Sequence, residues 1–222
     1  MCGKFTQMMG WSRVVELAGL LAASEGPIET ATPMRFATVI RLNAAGARET
    51  ARLRWGLVPP WEKDPGIGTK FIHARAETID EKRTFRGAFF ARRGLVAVNS
   101  FNEGEEITPK KTRQHVIVPN DKKPLAIAVV WEHWGEGHDA SLDTFAMVTV
   151  PANELIASIT DRMPAIVAYE DWAKWLGEEP ATVADLKSML KPFGGECTMT
   201  VQGAKSPPPK TPERKEEQKG LF

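Results

Sequence analysis

The chain has 222 residues, 42% of them hydrophobic, enough for one sizeable core and no demand for a second. Lys and Arg total 29 against 28 acidic residues, a net charge of +1, so nothing global marks a nucleic-acid binder and any such site has to be a local basic patch. Only Cys2 and Cys197 are present, which argues against a disulfide framework and for a reducing, cytoplasmic compartment.

In chain order, Met1-Cys2-Gly3-Lys4-Phe5-Thr6-Gln7 lacks the charged start and long apolar run of a secretory signal, and the apolar runs elsewhere are too short for a bilayer. Trp11 to Ala23 carries Val14, Val15, Leu17, Ala18, Leu20 and Leu21 at the spacing of an amphipathic helix. Strand patterns follow at Ala37 to Leu42 and Arg48 to Trp55, joined by Asn43-Ala44-Ala45-Gly46 as a hairpin turn. A proline-rich loop runs from Pro59-Pro60-Trp61 to Gly68. Thr78 to Ala91 reads as a helix, acidic early and basic late.

Further strands are expected at Gly94 to Phe101, Arg113 to Val118, Ala126 to Trp131 and Thr144 to Val150. Asn153 is suited to cap a short helix from Glu154, and Tyr169 to Leu176 reads as another. The mixture predicts an α+β domain, residues 1 to 202, with an antiparallel, barrel-like β-sheet core and flanking helices. Residues 203 to 222, rich in Pro, Lys and Glu, are expected to form a disordered tail. His73, His115, His133 and His138 form no metal-ligand motif with either cysteine, and no metal or cofactor is called for.

Cys2 is the residue with the most chemistry. A small second side chain permits removal of Met1, leaving a free α-amine and a thiol on one residue. The amine, with a reference pKa of about 8, can condense with an aldehyde to a Schiff base, and the thiol can then close a thiazolidine ring. A ring-opened abasic deoxyribose presents such an aldehyde. Position alone favours the bland reading, a cysteine that merely follows the initiator. For Cys197 the expectation is a buried structural thiol.

Eight segments stand in an order that carries further information: Met1-Cys2-Gly3-Lys4-Phe5; Trp55-Gly56-Leu57-Val58-Pro59-Pro60-Trp61; His73-Ala74-Arg75-Ala76-Glu77-Thr78; Arg83-Thr84-Phe85; Phe101-Asn102-Glu103; Trp131-Glu132-His133-Trp134; Phe145 to Asn153; and Thr160-Asp161-Arg162-Met163-Pro164. Through them the chain resembles the SOS response-associated peptidase (SRAP) family, the abasic-site processing proteins, over roughly residues 1 to 192. The resemblance implies the SRAP fold, a groove for single-stranded DNA with mature Cys2 at its floor, and a covalent thiazolidine crosslink to the abasic sugar. It also implies that Glu103 is the catalytic glutamate, a proton shuttle if burial raises its pKa. Arg75 and Arg162, and also Arg83, match positions that contact the DNA backbone. Lys4 stands where the family has arginine, and Trp61 matches a part that wedges against bases.

Two substitutions fall on catalytic positions. His73 replaces the family's asparagine, and Thr160 replaces a histidine assigned to proton transfer, a role that a hydroxyl cannot fill. The exchange suggests that His73 supplies the missing imidazole from the opposite wall. Phe101-Asn102-Glu103-Gly104 and Arg93-Gly94-Leu95 also depart from the family's Phe-Tyr-Glu-Trp and Arg-Cys-Leu.

The end, Gln218-Lys219-Gly220-Leu221-Phe222, resembles a bacterial sliding-clamp-binding peptide, with Gln218, Leu221 and Phe222 as anchors. The expected partners are thus single-stranded DNA with abasic sites and a sliding clamp, met by a cytoplasmic, nucleoid-associated monomer. Crosslinking, with AP lyase activity through the same Schiff base, is one reading. A self-processing cysteine peptidase and a non-catalytic module for single-stranded or gapped DNA are the others.

Overall fold

The computed structural model describes residues 3–7, 29–135 and 140–202; the helix expected over Trp11 to Ala23 and the tail from residue 203 lie outside these. The described residues form twelve strands: β1 (Lys4–Gln7), β2 (Glu29–Ala31), β3 (Phe36–Leu42), β4 (Arg48–Trp55), β5 (His73–Arg75), β6 (Arg93–Val98), β7 (Ser100–Thr108), β8 (Lys111–Pro119), β9 (Leu125–Trp134), β10 (Leu142–Pro151), β11 (Arg162–Pro164) and β12 (Cys197–Val201). Four α-helices accompany them: α1 (Arg83–Ala91), α2 (Glu154–Ala157), α3 (Trp172–Leu176) and α4 (Val183–Met189).

Strands β4, β3, β6, β9 and β10 pair in succession and close into a five-membered ring. Alternating directions cannot close a ring with an odd number of members. The β4–β10 seam is accordingly parallel, at Arg54↔Thr144 and Trp55↔Phe145, while the other four seams are antiparallel. β5 also pairs with β10 in parallel. The expected antiparallel barrel is therefore present with one parallel closure that topology requires. β10 exchanges neighbours along its length: Ala165, just past β11, donates to the Val148 carbonyl and accepts from Ala128, wedging between β10 and β9.

A second sheet, ordered β12-β8-β7-β1-β2 and antiparallel throughout, lies against the ring. Phe5, Phe101 and Ile117 align across its three central strands and are fully buried. Phe5 meets the ring residue Trp55 at 5.1 Å between ring centroids, and Trp55 stacks on Phe145 at 6.2 Å. The Gln7 amide bonds Thr38 and the Ala97 carbonyl, fastening β1 to β3 and β6. Burying these apolar faces at about 25 cal/mol per Å² is what holds the two sheets together.

The hairpin at Asn43–Gly46 forms as expected, with Asn43 N–H donating to Ala47 and Gly46 at φ 76°. The helix expected from Thr78 begins only at Arg83, after two turns of irregular chain. The single strand expected at Gly94 to Phe101 is two, β6 in the ring and β7 in the second sheet; the chain changes sheets at Asn99, whose N–H bonds the Thr6 carbonyl. Tyr169 to Leu176 splits into a 3-10 turn at Tyr169–Asp171 and α3. Trp175 in α3 donates to the Gly94 carbonyl at 2.9 Å, and Gly94 admits no larger residue there, since a Cβ would sit 2.8 Å from Val39. Asn153 caps α2 through Ile156 N–H. Among the described residues no helix is long and apolar enough to cross a membrane.

Candidate functional site around Glu103

Side chains alternate along β7, so Glu103 shares the inner face with Phe101 and continues the row that packs on the ring. It is fully buried. Burial pushes its carboxyl up to about 7, and the charge of nearby Asp161 adds to that rise. A pKa near neutrality is the range that general acid–base chemistry uses.

Two further predicted residues are placed on neighbouring elements. Thr160 follows α2, its N–H on the Ile156 carbonyl, and is bonded to Asp161, whose charge reaches Glu103. His73 on β5 is half-buried with its ring edge-on to Trp55 at 6.1 Å, and Trp55 in turn touches Phe5 of β1. Cys2 lies outside the described residues. Lys4 pairs with Asn102, on the other face of the sheet from Glu103. There it lines a cavity of about 560 Å³ together with Gly3, Thr32, Gly104, Glu106 and Gln114. A Cβ at residue 104 would lie 2.6 Å from Thr112 Cγ2, so glycine keeps this space open.

The predicted DNA-contacting groups divide by exposure. Arg75 is exposed at the end of β5. Arg83 is exposed at the start of α1 and lays its guanidinium over Trp61, 4.4 Å from the ring centroid. Trp61 is 44% exposed. Arg162 differs. It is buried on β11, forks onto Glu77 at 2.5 and 2.9 Å, and donates to the Thr149 carbonyl at 2.6 Å. That hydrogen bond from Arg162 holds Glu77 below the usual carboxylate range, with Arg75 adding a weaker pull. The guanidinium expected on a phosphate is thus committed to holding Glu77 and β10, and a phosphate would have to displace a carboxylate to reach it.

Cys197 is half-buried on β12 rather than fully enclosed, its thiol pushed up chiefly by desolvation. Among the described residues no cluster of His, Cys, Asp and Glu could hold a metal. The residues that sequence reasoning missed are His115 and Glu105. His115 is the cross-strand partner of Glu103, and its Nε2 bonds Glu105 at 2.8 Å. Only the register of β7 on β8 sets His115 opposite the buried acid, and register is a tertiary property.

The fold and site together define an α+β protein with a closed five-strand ring, a second sheet packed on it, and a fully buried carboxyl, Glu103, whose pKa burial raises to about 7. The family model described as SOS response associated peptidase (SRAP) matches residues 1–204, and the chain belongs to that family. A relative named abasic site processing protein YoqW, from Bacillus subtilis, is 32% identical over 88% of this chain and 89% of its own length. The abasic site processing protein HMCES of Xenopus tropicalis is 25% identical over 66% of this chain and 50% of that protein. A crystal structure of a Bordetella bronchiseptica protein shares the fold with a TM-score of 0.74, at 22% identity, covering 90% of this chain and 99% of that one.

Proposed function

We propose that this protein captures abasic sites in single-stranded DNA through mature Cys2. The observation that carries the reading is Glu103: a buried carboxyl near pKa 7 on the strand beside β1, in a chain whose relatives are named for abasic-site processing. The amine adds to the open-chain sugar aldehyde. Protonation of the resulting hydroxyl by Glu103 expels water and gives the Schiff base. The thiol then adds across the C=N bond, its proton passing to the nitrogen, and the ring closes without any other reactant. β-Elimination from the same Schiff base is the AP lyase branch.

In this reading Arg75 and Arg83 hold phosphates, Lys4 serves the polar cavity beside the N-terminus, and Trp61 stacks a base. Arg162 acts at one remove, fixing Glu77 beside Arg75. His73 stands on the wall formed by Trp55, where it replaces asparagine. A binding module without covalent chemistry is the second reading, favoured by the hydroxyl at Thr160.

The test incubates Met1-processed protein with single-stranded DNA carrying one abasic site, followed by denaturing electrophoresis and intact mass. A heat-resistant adduct that requires Cys2 and is slowed by Glu103→Ala is the expected result, with His73→Asn reporting any share carried by that imidazole. Arg75→Ala should weaken binding and reduce the salt slope by about one. Salt-sensitive binding without an adduct would leave only the binding module.

A further inference from the structure

Arg41, Arg48, Arg92 and Arg162 each pair with a carboxylate, and Arg93 donates to the Phe89 and Phe90 carbonyls at the end of α1. Arg83 and Arg86, both exposed on α1, form no side-chain hydrogen bond or ion pair among the described residues. Each lies over an exposed aromatic ring instead. Arg83 is 4.4 Å from the ring centroid of Trp61 and Arg86 is 5.7 Å from that of Phe90, both inside the roughly 6 Å over which a ring attracts a cation. Arg86 also pulls weakly on Asp80, whose carboxylate Lys187 already holds at 2.6 Å. Arg83 and Arg86 are three residues apart and Phe90 is four further on, so the three share one helix face. At 1.5 Å per residue this face runs about 10 Å from Trp61 outward. Gly87 lies within it, and a Cβ there would meet only Arg92 Nη2, at 3.9 Å, so the surface between the arginines and Phe90 is open. Phe90 is backed by the buried ring of Phe89, 5.4 Å away between centroids. Both cations stand in the first turn of α1, the positive end of its dipole, where no acidic residue offsets them.

We propose that this face of α1 extends the path of single-stranded DNA past Trp61 and Arg83, with Arg86 holding a phosphate and Phe90 stacking a base of the flanking strand. This rests on the abasic-site reading above, which gives neither Arg86 nor Phe90 a role. A guanidinium over an exposed ring is held weakly, whereas a phosphate takes its N–H groups in a charge-assisted fork. Arriving DNA therefore draws Arg86 off Phe90 and leaves the ring to a base, so that one cation and one ring serve one nucleotide. The phosphate also offsets two cations that the helix dipole disfavours. Stacking on an aromatic side chain accepts any base, which suits a flank whose sequence varies from one lesion to the next.

The experiment measures the affinity of the Met1-processed full chain for single-stranded oligonucleotides carrying one reduced abasic site, which presents no aldehyde, lengthened one nucleotide at a time on either side. Wild type, Arg86→Gln, Phe90→Ala and Phe90→Leu are compared at several salt concentrations, with urea midpoints alongside. Wild type should gain affinity as the strand on one side reaches α1. On long oligonucleotides Arg86→Gln should lower the salt slope by about 0.7, one phosphate contact on a single strand. Phe90→Ala and Phe90→Leu should both lose about fivefold or more in affinity with the slope unchanged, and that loss should vanish when the nucleotide over α1 lacks its base. On the shortest oligonucleotides all four proteins should bind alike. Losses that are absent, or equal at every length, would overturn the α1 path, as would a Phe90→Leu variant that binds like wild type. If those outcomes came with a normal adduct on unreduced abasic DNA, only the α1 path would fall. A wild type that neither binds single-stranded DNA nor forms the adduct would remove the abasic-site reading and the α1 path with it.

Discussion

Replacing Glu103 with glutamine should change how stability depends on pH, in a direction opposite to that of most carboxylates. The group's pKa is raised by burial from the usual 4.5 to about 7 in the folded chain. Between those values the unfolded chain has released the proton and the folded chain retains it. Unfolding therefore releases a proton, and stability falls as pH rises. The contribution is fully present below about pH 4.5 and is lost by about pH 7. At about 1.4 kcal/mol per pKa unit, the whole swing amounts to about 3 kcal/mol. Glu103→Gln keeps the shape and removes the charge, so the variant gains on wild type by that amount between pH 4 and pH 8.

The assay is urea unfolding of both proteins at half-unit steps across that range, with the difference in unfolding free energy plotted against pH. A flat difference would refute the assignment of a buried neutral acid. A difference that shrinks as pH rises would mean that Glu103 is held ionised by its surroundings and does not serve as an acid at neutral pH.

Arg162→Gln removes the fork on Glu77 and the bond to the Thr149 carbonyl. The arginine is buried but Glu77 is about half exposed, so solvent screening tempers the loss, which should be about 2 kcal/mol in urea unfolding. A loss of DNA affinity with no loss of stability would show instead that Arg162 reaches the phosphate directly. Thr182→Ala opens the capping box of α4, in which Thr182 and Asp185 bond each other's backbone N–H groups, and should lower stability by about 1 kcal/mol, measured by the shift in the urea midpoint.

Local chemistry was legible wherever it followed from neighbouring residues. The Asn43–Gly46 turn, the Asn153 cap and the strands β3, β4, β8, β9 and β10 all rest on patterns within a dozen residues, and each is present. Short strands such as β5 and β11 carry no periodicity of their own. They are strands only because β10 offers them an edge. The start of α1 was misplaced because acidic residues before Arg83 mimic a first helical turn, while the chain there bends through Thr78–Lys82 contacts.

The sequence by itself determined the α+β class, the family, and the order of the segments that bear chemistry, because these depend on residue type and spacing along the chain. Tertiary structure alone decided the environment of each group. Burial lifts Glu103 toward neutrality, a register places His115 opposite it, and Arg162 is paired with Glu77. The physical reason is that desolvation and pairing depend on distances between strands far apart in sequence, and these are set only when the ring closes and the second sheet packs on it.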